Sequence, residues 1–225
     1  MEGRDIQFGT DQHRGYLAPS ATGSGPGVIV IQEWWGLVPH IQEVADRFAA
    51  EGFTVLAPDF YKGEKTTDPD EAGRLMMALE IEHAERVLEE AITFLLEQPE
   101  TTGEKVGVVG FCMGGQLALY AGATSDRVAA TVCFYGIHPN VHPPFERMTA
   151  KVLGIFAEED HMTTPAVVAA LDRQLTDLGK EHEFVTYPGT DHAFFNDHRP
   201  EVHAPEASAD AWKRTVAFFR QNLGS

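Results

Sequence analysis

The stretch Gly107-Val108-Val109-Gly110-Phe111-Cys112-Met113-Gly114-Gly115 places a thiol between glycines at a spacing that can turn it into a nucleophile. Gly110-x-Cys112-x-Gly114 reads as the G-x-S-x-G elbow with Cys in place of Ser. Glycines belong two residues to either side because the turn is tight and neighbouring backbones come close. Such an elbow lifts the side chain above the end of a strand, at a helix N-terminus whose unpaired N–H groups favour negative charge. The N–H of Met113 then becomes an oxyanion donor. A buried, inert cysteine in a glycine-rich turn would show the same string. An apolar strand before it and an alanine-rich helix after it favour the nucleophile. A dinucleotide-binding reading fails, because Gly110, Gly114 and Gly115 do not make a G-x-G-x-x-G spacing.

A nucleophile needs a base, and the base needs an acid to orient it. Two loops downstream offer them. Ala157-Glu158-Glu159-Asp160-His161 follows the apolar run Val152–Phe156, and Pro188-Gly189-Thr190-Asp191-His192-Ala193-Phe194 follows Glu183–Tyr187. Asp160 is the expected acid and His192 the expected base. Glu158 and Glu159 read as solvated loop acids, His161 is a weaker rival base, and Asp191 faces solvent. Among the ten histidines, His138, His142, His198 and His203 read as scattered loop residues without a ligand spacing. No metal and no cofactor is expected.

These loops need a scaffold. The N-terminal residues suit a short hairpin, followed by a Gly/Pro/Ser-rich loop over Ala18–Gly27. Val28–Ile31 suits a strand buried on both faces. His40–Glu51 carries a helical stripe of Ile41, Val44, Ala45 and Phe48. Further strands are expected at Phe53–Leu56, Lys105–Val109, Val128–Tyr135, Val152–Phe156 and Glu183–Tyr187. Helices are expected at Met113–Ala123, Pro165–Leu178 and Pro205–Phe219, with one broken helix or two successive ones over Asp68–Glu97. Alternating strands and helices imply an α/β fold with a largely parallel sheet covered on both faces. Reactive groups gather at the carboxyl ends of such strands, where Cys112, Asp160 and His192 fall. A chain of 225 residues, 43% hydrophobic, suits a single domain spanning residues 1–225.

Charge and cysteine usage narrow the setting. Seventeen basic against 34 acidic residues leave a net charge of −17, which disfavours nucleic acid and anionic membranes as partners. No apolar run reaches the length of about 18 residues a membrane span needs. Met1–Asp5 lacks the apolar core of a signal peptide. Cys112 and Cys133 make neither a zinc motif nor a disulfide framework, and the chain is read as cytoplasmic. Oligomeric state leaves no signature.

With these residues assembled, the chain resembles the dienelactone hydrolase family over nearly its whole length. The resemblance rests on Val28–Gly36 (VIVIQEWWG), Ala57–Tyr61, Gly110–Gly115, Phe134-Tyr135-Gly136, Asp160 and Gly189–Phe194. It implies an α/β-hydrolase fold and a Cys112–His192–Asp160 triad. The N–H groups of Trp34 and Met113 would form the oxyanion hole, and Glu33 would lie against the thiol and switch it between quiet and activated states. A carboxylate beside a thiol disfavours the thiolate, while a helix terminus and an imidazolium favour it. Trp34, Trp35, Phe111, Tyr135 and Phe194 are candidates for an apolar pocket, against a default of core packing. Arg74 falls where a second family arginine falls. The chain departs from the family at Ala193 and Asn196, where the founding members carry Ser and a carboxylate-holding Arg. That loss points away from dienelactone itself, toward a neutral ester or another lactone.

The expected reaction is acyl transfer from an ester or lactone through a thioester on Cys112. Two other classes compete: a non-catalytic scaffold that binds a small molecule, and a redox thiol with Cys133 as resolving partner. Cys133, mid-strand in Ala130–Phe134, reads as core. Nucleophile, acid and histidine in the required order count against the scaffold reading.

Overall fold

A computed structural model describes residues 3–224. Eight strands form one sheet in the order β1-β2-β4-β3-β5-β6-β7-β8. The strands are β1 (Arg4–Phe8), β2 (His13–Ala18), β3 (Gly25–Ile31), β4 (Thr54–Pro58), β5 (Thr101–Phe111), β6 (Val128–Phe134), β7 (Lys151–Ala157) and β8 (His182–Tyr187). β1 and β2 make the expected antiparallel hairpin, β2 runs antiparallel to β4, and every other pairing is parallel. Val28, Ile29, Val30 and Ile31 are each fully buried although successive side chains point to opposite faces, so helices cover both sides.

Six helices are found among the described residues: α1 (Pro39–Ala50), α2 (Pro69–Ala78), α3 (Ile81–Leu96), α4 (Met113–Thr124), α5 (Pro165–Asp177) and α6 (Pro205–Leu223). The polar stretch from Asp68 to Glu97 is two helices. Leu79 and Glu80 between them are extended, with ψ of 114° and 128°. Asp68 caps α2 by accepting from the Glu71 N–H at 2.9 Å, with Pro69 in the first turn. β5 starts at Thr101 rather than Lys105, because Thr101 and Thr102 pair with Gly25 and Pro26 beyond the apolar run. The α1 stripe packs on α6, with the Phe48 ring 4.4 Å from that of Trp212 and 5.9 Å from that of Phe219.

Parallel pairing of β3, β5, β6, β7 and β8 brings their carboxyl ends to one edge. The loops that leave this edge carry Glu33–Gly36, Cys112, Tyr135, Asp160 and His192. Among the described residues, no helix is long and apolar enough to cross a membrane.

Candidate active site

Cys112 ends β5 and caps α4 with φ 53° and ψ −120°, a conformation that costs a non-glycine residue of order 1–3 kcal/mol. The surroundings enforce it. The Cys112 N–H donates to Phe134 O at 3.0 Å, and its carbonyl accepts from Ile137 N at 3.1 Å. A Cβ at Gly110 would sit 1.9 Å from Gly114 O, and one at Gly114 would sit 2.4 Å from Gln32 O. Both glycines are therefore dictated by backbone against backbone. Tyr135 and Ala193 also adopt positive φ, 40° and 64°, so strained residues from three loops surround one point.

His192 Nδ1 and Asp160 Oδ2 lie 2.7 Å apart. The other Asp160 oxygen accepts from Met162 N at 2.7 Å and Thr163 N at 2.8 Å. The Thr163 hydroxyl in turn donates to Tyr135 O at 3.0 Å, which anchors the acid loop to the end of β6. The Tyr135 ring packs 4.9 Å from the imidazole. Burial pulls the His192 pKa down, but the hydrogen bond to Asp160, the close approach of Cys112 and the charges of both raise it to about 10. Burial pushes the Asp160 carboxyl up, and bonding to His192 with the two backbone N–H groups takes it below its usual range. His192 Nε2 is buried without a geometrically sound hydrogen bond, with Cys112 close enough to shift its protonation. The N–H groups of Trp34 and Met113 donate to no other group among the described residues.

Glu33 is 1% exposed, and its Oε2 accepts from Asn196 Nδ2 at 2.7 Å. Burial raises its pKa, against the Asn196 hydrogen bond and the charges of His192 and Arg199. Asn196, a departure from the family at sequence level, thus keeps a polar partner for the buried carboxyl.

Glu33, Trp34, Trp35, Cys112, His192 and Arg199 line a cleft of about 250 Å³. Met162, Ala193 and Val202 complete its walls, with His161 and Asp191 at the rim. Four of the pocket candidates lie elsewhere. Arg74 is exposed, paired with Glu71 and Glu64, and borders a different cleft with Leu75 and His83. Phe111 is stacked on Phe195 inside the core. Phe194 is buried between Tyr135 and Tyr187. Tyr135 supports the imidazole from behind and does not line the cleft. Each of the three rings sits at a strand end or in a returning loop where the apolar core continues upward, and burial claims it.

Arg199 escapes a reading that looks only at position 196. The segment after His192 steps in threes: Asn196 N donates to Ala193 O at 2.9 Å, Arg199 N to Asn196 O at 3.1 Å, and Val202 N to Arg199 O at 3.1 Å. Residues three apart return to one side, which carries Ala193, Arg199 and Val202 to the cleft. The guanidinium lies 5.8 Å from the Trp35 ring and bonds Glu201 at 2.8 Å. An arginine three residues after Asn196 was the available signal.

A mostly parallel eight-stranded sheet, with a strained residue at the β5–α4 turn and a histidine–carboxylate pair from the following loops, defines an α/β hydrolase. The dienelactone hydrolase family model matches residues 13–223. The chain is 40% identical over 217 residues to the protein usf of Aquifex pyrophilus, covering 93% of this chain and 94% of that one. It is 35% identical, at the same coverage, to the provisionally named carboxymethylenebutenolidase of Aquifex aeolicus. A crystal structure of a provisionally assigned dienelactone hydrolase from Klebsiella pneumoniae superimposes with a TM-score of 0.87 at 25% identity, over 97% of this chain and 98% of that one. The chain belongs to the dienelactone hydrolase family and is a hydrolase of that kind.

Proposed function

We propose that the protein hydrolyses small carboxylic esters or lactones through a thioester on Cys112. The observation that carries this reading is the 2.7 Å contact from Asp160 to His192 Nδ1, which leaves His192 Nε2 buried, unbonded and beside Cys112. His192 takes the Cys112 proton, and Asp160 holds the imidazolium that results. The thiolate attacks the carbonyl carbon, and the N–H groups of Trp34 and Met113 receive the oxyanion. His192 protonates the leaving oxygen, then removes a proton from the water that cleaves the thioester. Glu33, beside the imidazole and fixed by Asn196, tunes the charge state of the thiol. Arg199 gives the cleft a positive charge inside a molecule of net −17, so esters or lactones with an anionic group are accommodated alongside neutral ones.

The redox alternative lacks a competent partner. Cys133 is buried in the core, and burial pushes its thiol up to about 12, which disfavours the thiolate that a resolving cysteine needs. The scaffold alternative and the enzyme separate in one assay. Turnover of short p-nitrophenyl esters and simple lactones by wild type, with a loss of at least about 10³-fold in Cys112→Ala, is expected. An intact-mass shift equal to the acyl group should appear on wild type only. Absence of turnover, or equal turnover in both proteins, would overturn the reading.

A further inference from the structure

The turn of the β1–β2 hairpin and the middle of α3 bring together Asp11, His13 and Glu90, whose ligand atoms all lie within 4.8 Å of one another. Two of these atoms are in an unusual state. His13 is 8% exposed, and its Nε2 and the Oε2 of Glu90 are both buried without a hydrogen bond. They face each other at 3.4 Å. A charge-assisted N–H···O bond would draw them to about 2.7–2.9 Å. Donors about 2.1 Å from a shared tetrahedral ion, in contrast, stand about 3.4 Å apart. Buried polar atoms are nearly always satisfied, and a cation between these two would satisfy both.

The surroundings hold the donors in place. The Thr10 hydroxyl donates to the other Glu90 oxygen and fixes the carboxyl group. Gly9, at φ 69°, leaves the room: a Cβ there would lie 1.8 Å from Glu90 Oε2. The rings of Phe8 and His83 pack on the His13 imidazole, each with centroids 5.6 Å away. This packing limits the rotation of the imidazole.

We propose that Asp11, His13 and Glu90 bind a divalent transition-metal cation that clamps the edge hairpin to α3. One imidazole and two carboxylates suit a borderline ion such as zinc or cobalt, with water in the fourth position. Asp11 must give up its 3.9 Å pairing with Arg86, an exposed ion pair of small worth. The three ligands are spread over 80 residues of sequence and form no spacing motif, which is why a reading of the chain expects no metal. The site is independent of the role of Cys112.

The test uses the whole 225-residue chain in a Cys112→Ser background, so that no thiol at the cleft competes, stripped of metal with a chelator. Titration with Co²⁺, followed by visible d–d absorption, is expected to show one equivalent bound. Zn²⁺ at about 100 times its Kd is expected to raise the thermal midpoint by about 5 °C. Glu90→Gln keeps the size and the Thr10 contact; it and His13→Gln, each checked by circular dichroism, should weaken Co²⁺ binding at least about ten-fold and cut the midpoint rise, at the same Zn²⁺ concentration, to about half or less. If His13→Gln does not fold, Glu90→Gln decides. Absence of stoichiometric binding, or binding that survives in Glu90→Gln, overturns the proposal. So does binding lost in His40→Gln, which would place the ion at the other cluster, His40, Asp197 and His198.

Discussion

The hydrogen bond from Asn196 to Glu33 joins residues 163 positions apart and leaves the buried carboxyl with a neutral partner instead of a guanidinium. Asn196→Ala removes that partner from a 1%-exposed acid and should cost about 1–3 kcal/mol, read from the urea midpoint at constant m value. The same change should shift the pH profile of kcat/KM, because Glu33 loses the bond that opposes its protonation. Arg199 works at this scale too. Arg199→Gln should lower kcat/KM for a carboxylate-bearing ester about ten-fold more than for its neutral analogue, a difference of about 1.4 kcal/mol. Equal losses on both esters would remove charge recognition from Arg199.

At the scale of elements, the β5–α4 elbow and the end of β3 behave as one unit. A Cβ at Gly114 meets Gln32 O at 2.4 Å and Ile31 O at 2.6 Å, and a strand backbone in mid-sheet does not yield as a flexible side chain would. Gly114→Ala should destabilise the fold by about 1–3 kcal/mol in chemical denaturation. It should also lower kcat, because the displaced segment leads directly into Glu33 and Trp34. Burial decides the rings near this elbow in the same manner. Phe111 and Phe134 stand opposite each other in the β5–β6 register and close the top of the core with Phe195, 5.2 Å and 5.0 Å away respectively.

For the whole molecule, the His192 group ties the cleft to global stability. Its pKa in the folded protein is raised to about 10, against about 6.5 in an unfolded chain. A raised pKa means the folded state binds the proton more tightly, so this stabilisation is complete below about pH 6.5 and is lost as pH rises toward 10. Urea denaturation across pH 6–10 should show stability falling with pH, and His192→Gln should flatten that slope. A slope unchanged in the variant would place its origin elsewhere.

The sequence by itself determined what short-range sterics and periodicity control. It set the alternation of strands and helices, the glycine-flanked turn at Cys112, and the order of strand-end loops that carry Asp160 and His192. Those signals lie within a few residues of each other, so they can be read without knowing what packs on them. The break at Leu79–Glu80 was legible as two alternatives, and β5 outran its apolar run because its first residues are held by pairing rather than burial. The tertiary structure alone decided which side chains meet. It sent Arg74 outward to Glu71, drew Phe111, Phe194 and Tyr135 out of the cleft, brought Arg199 in on a turn that repeats every third residue, and set Asn196 against Glu33. It also gathered Asp11, His13 and Glu90 at the hairpin edge. The reason is physical: side-chain convergence depends on the relative placement of elements tens to hundreds of residues apart, and no local pattern encodes that placement.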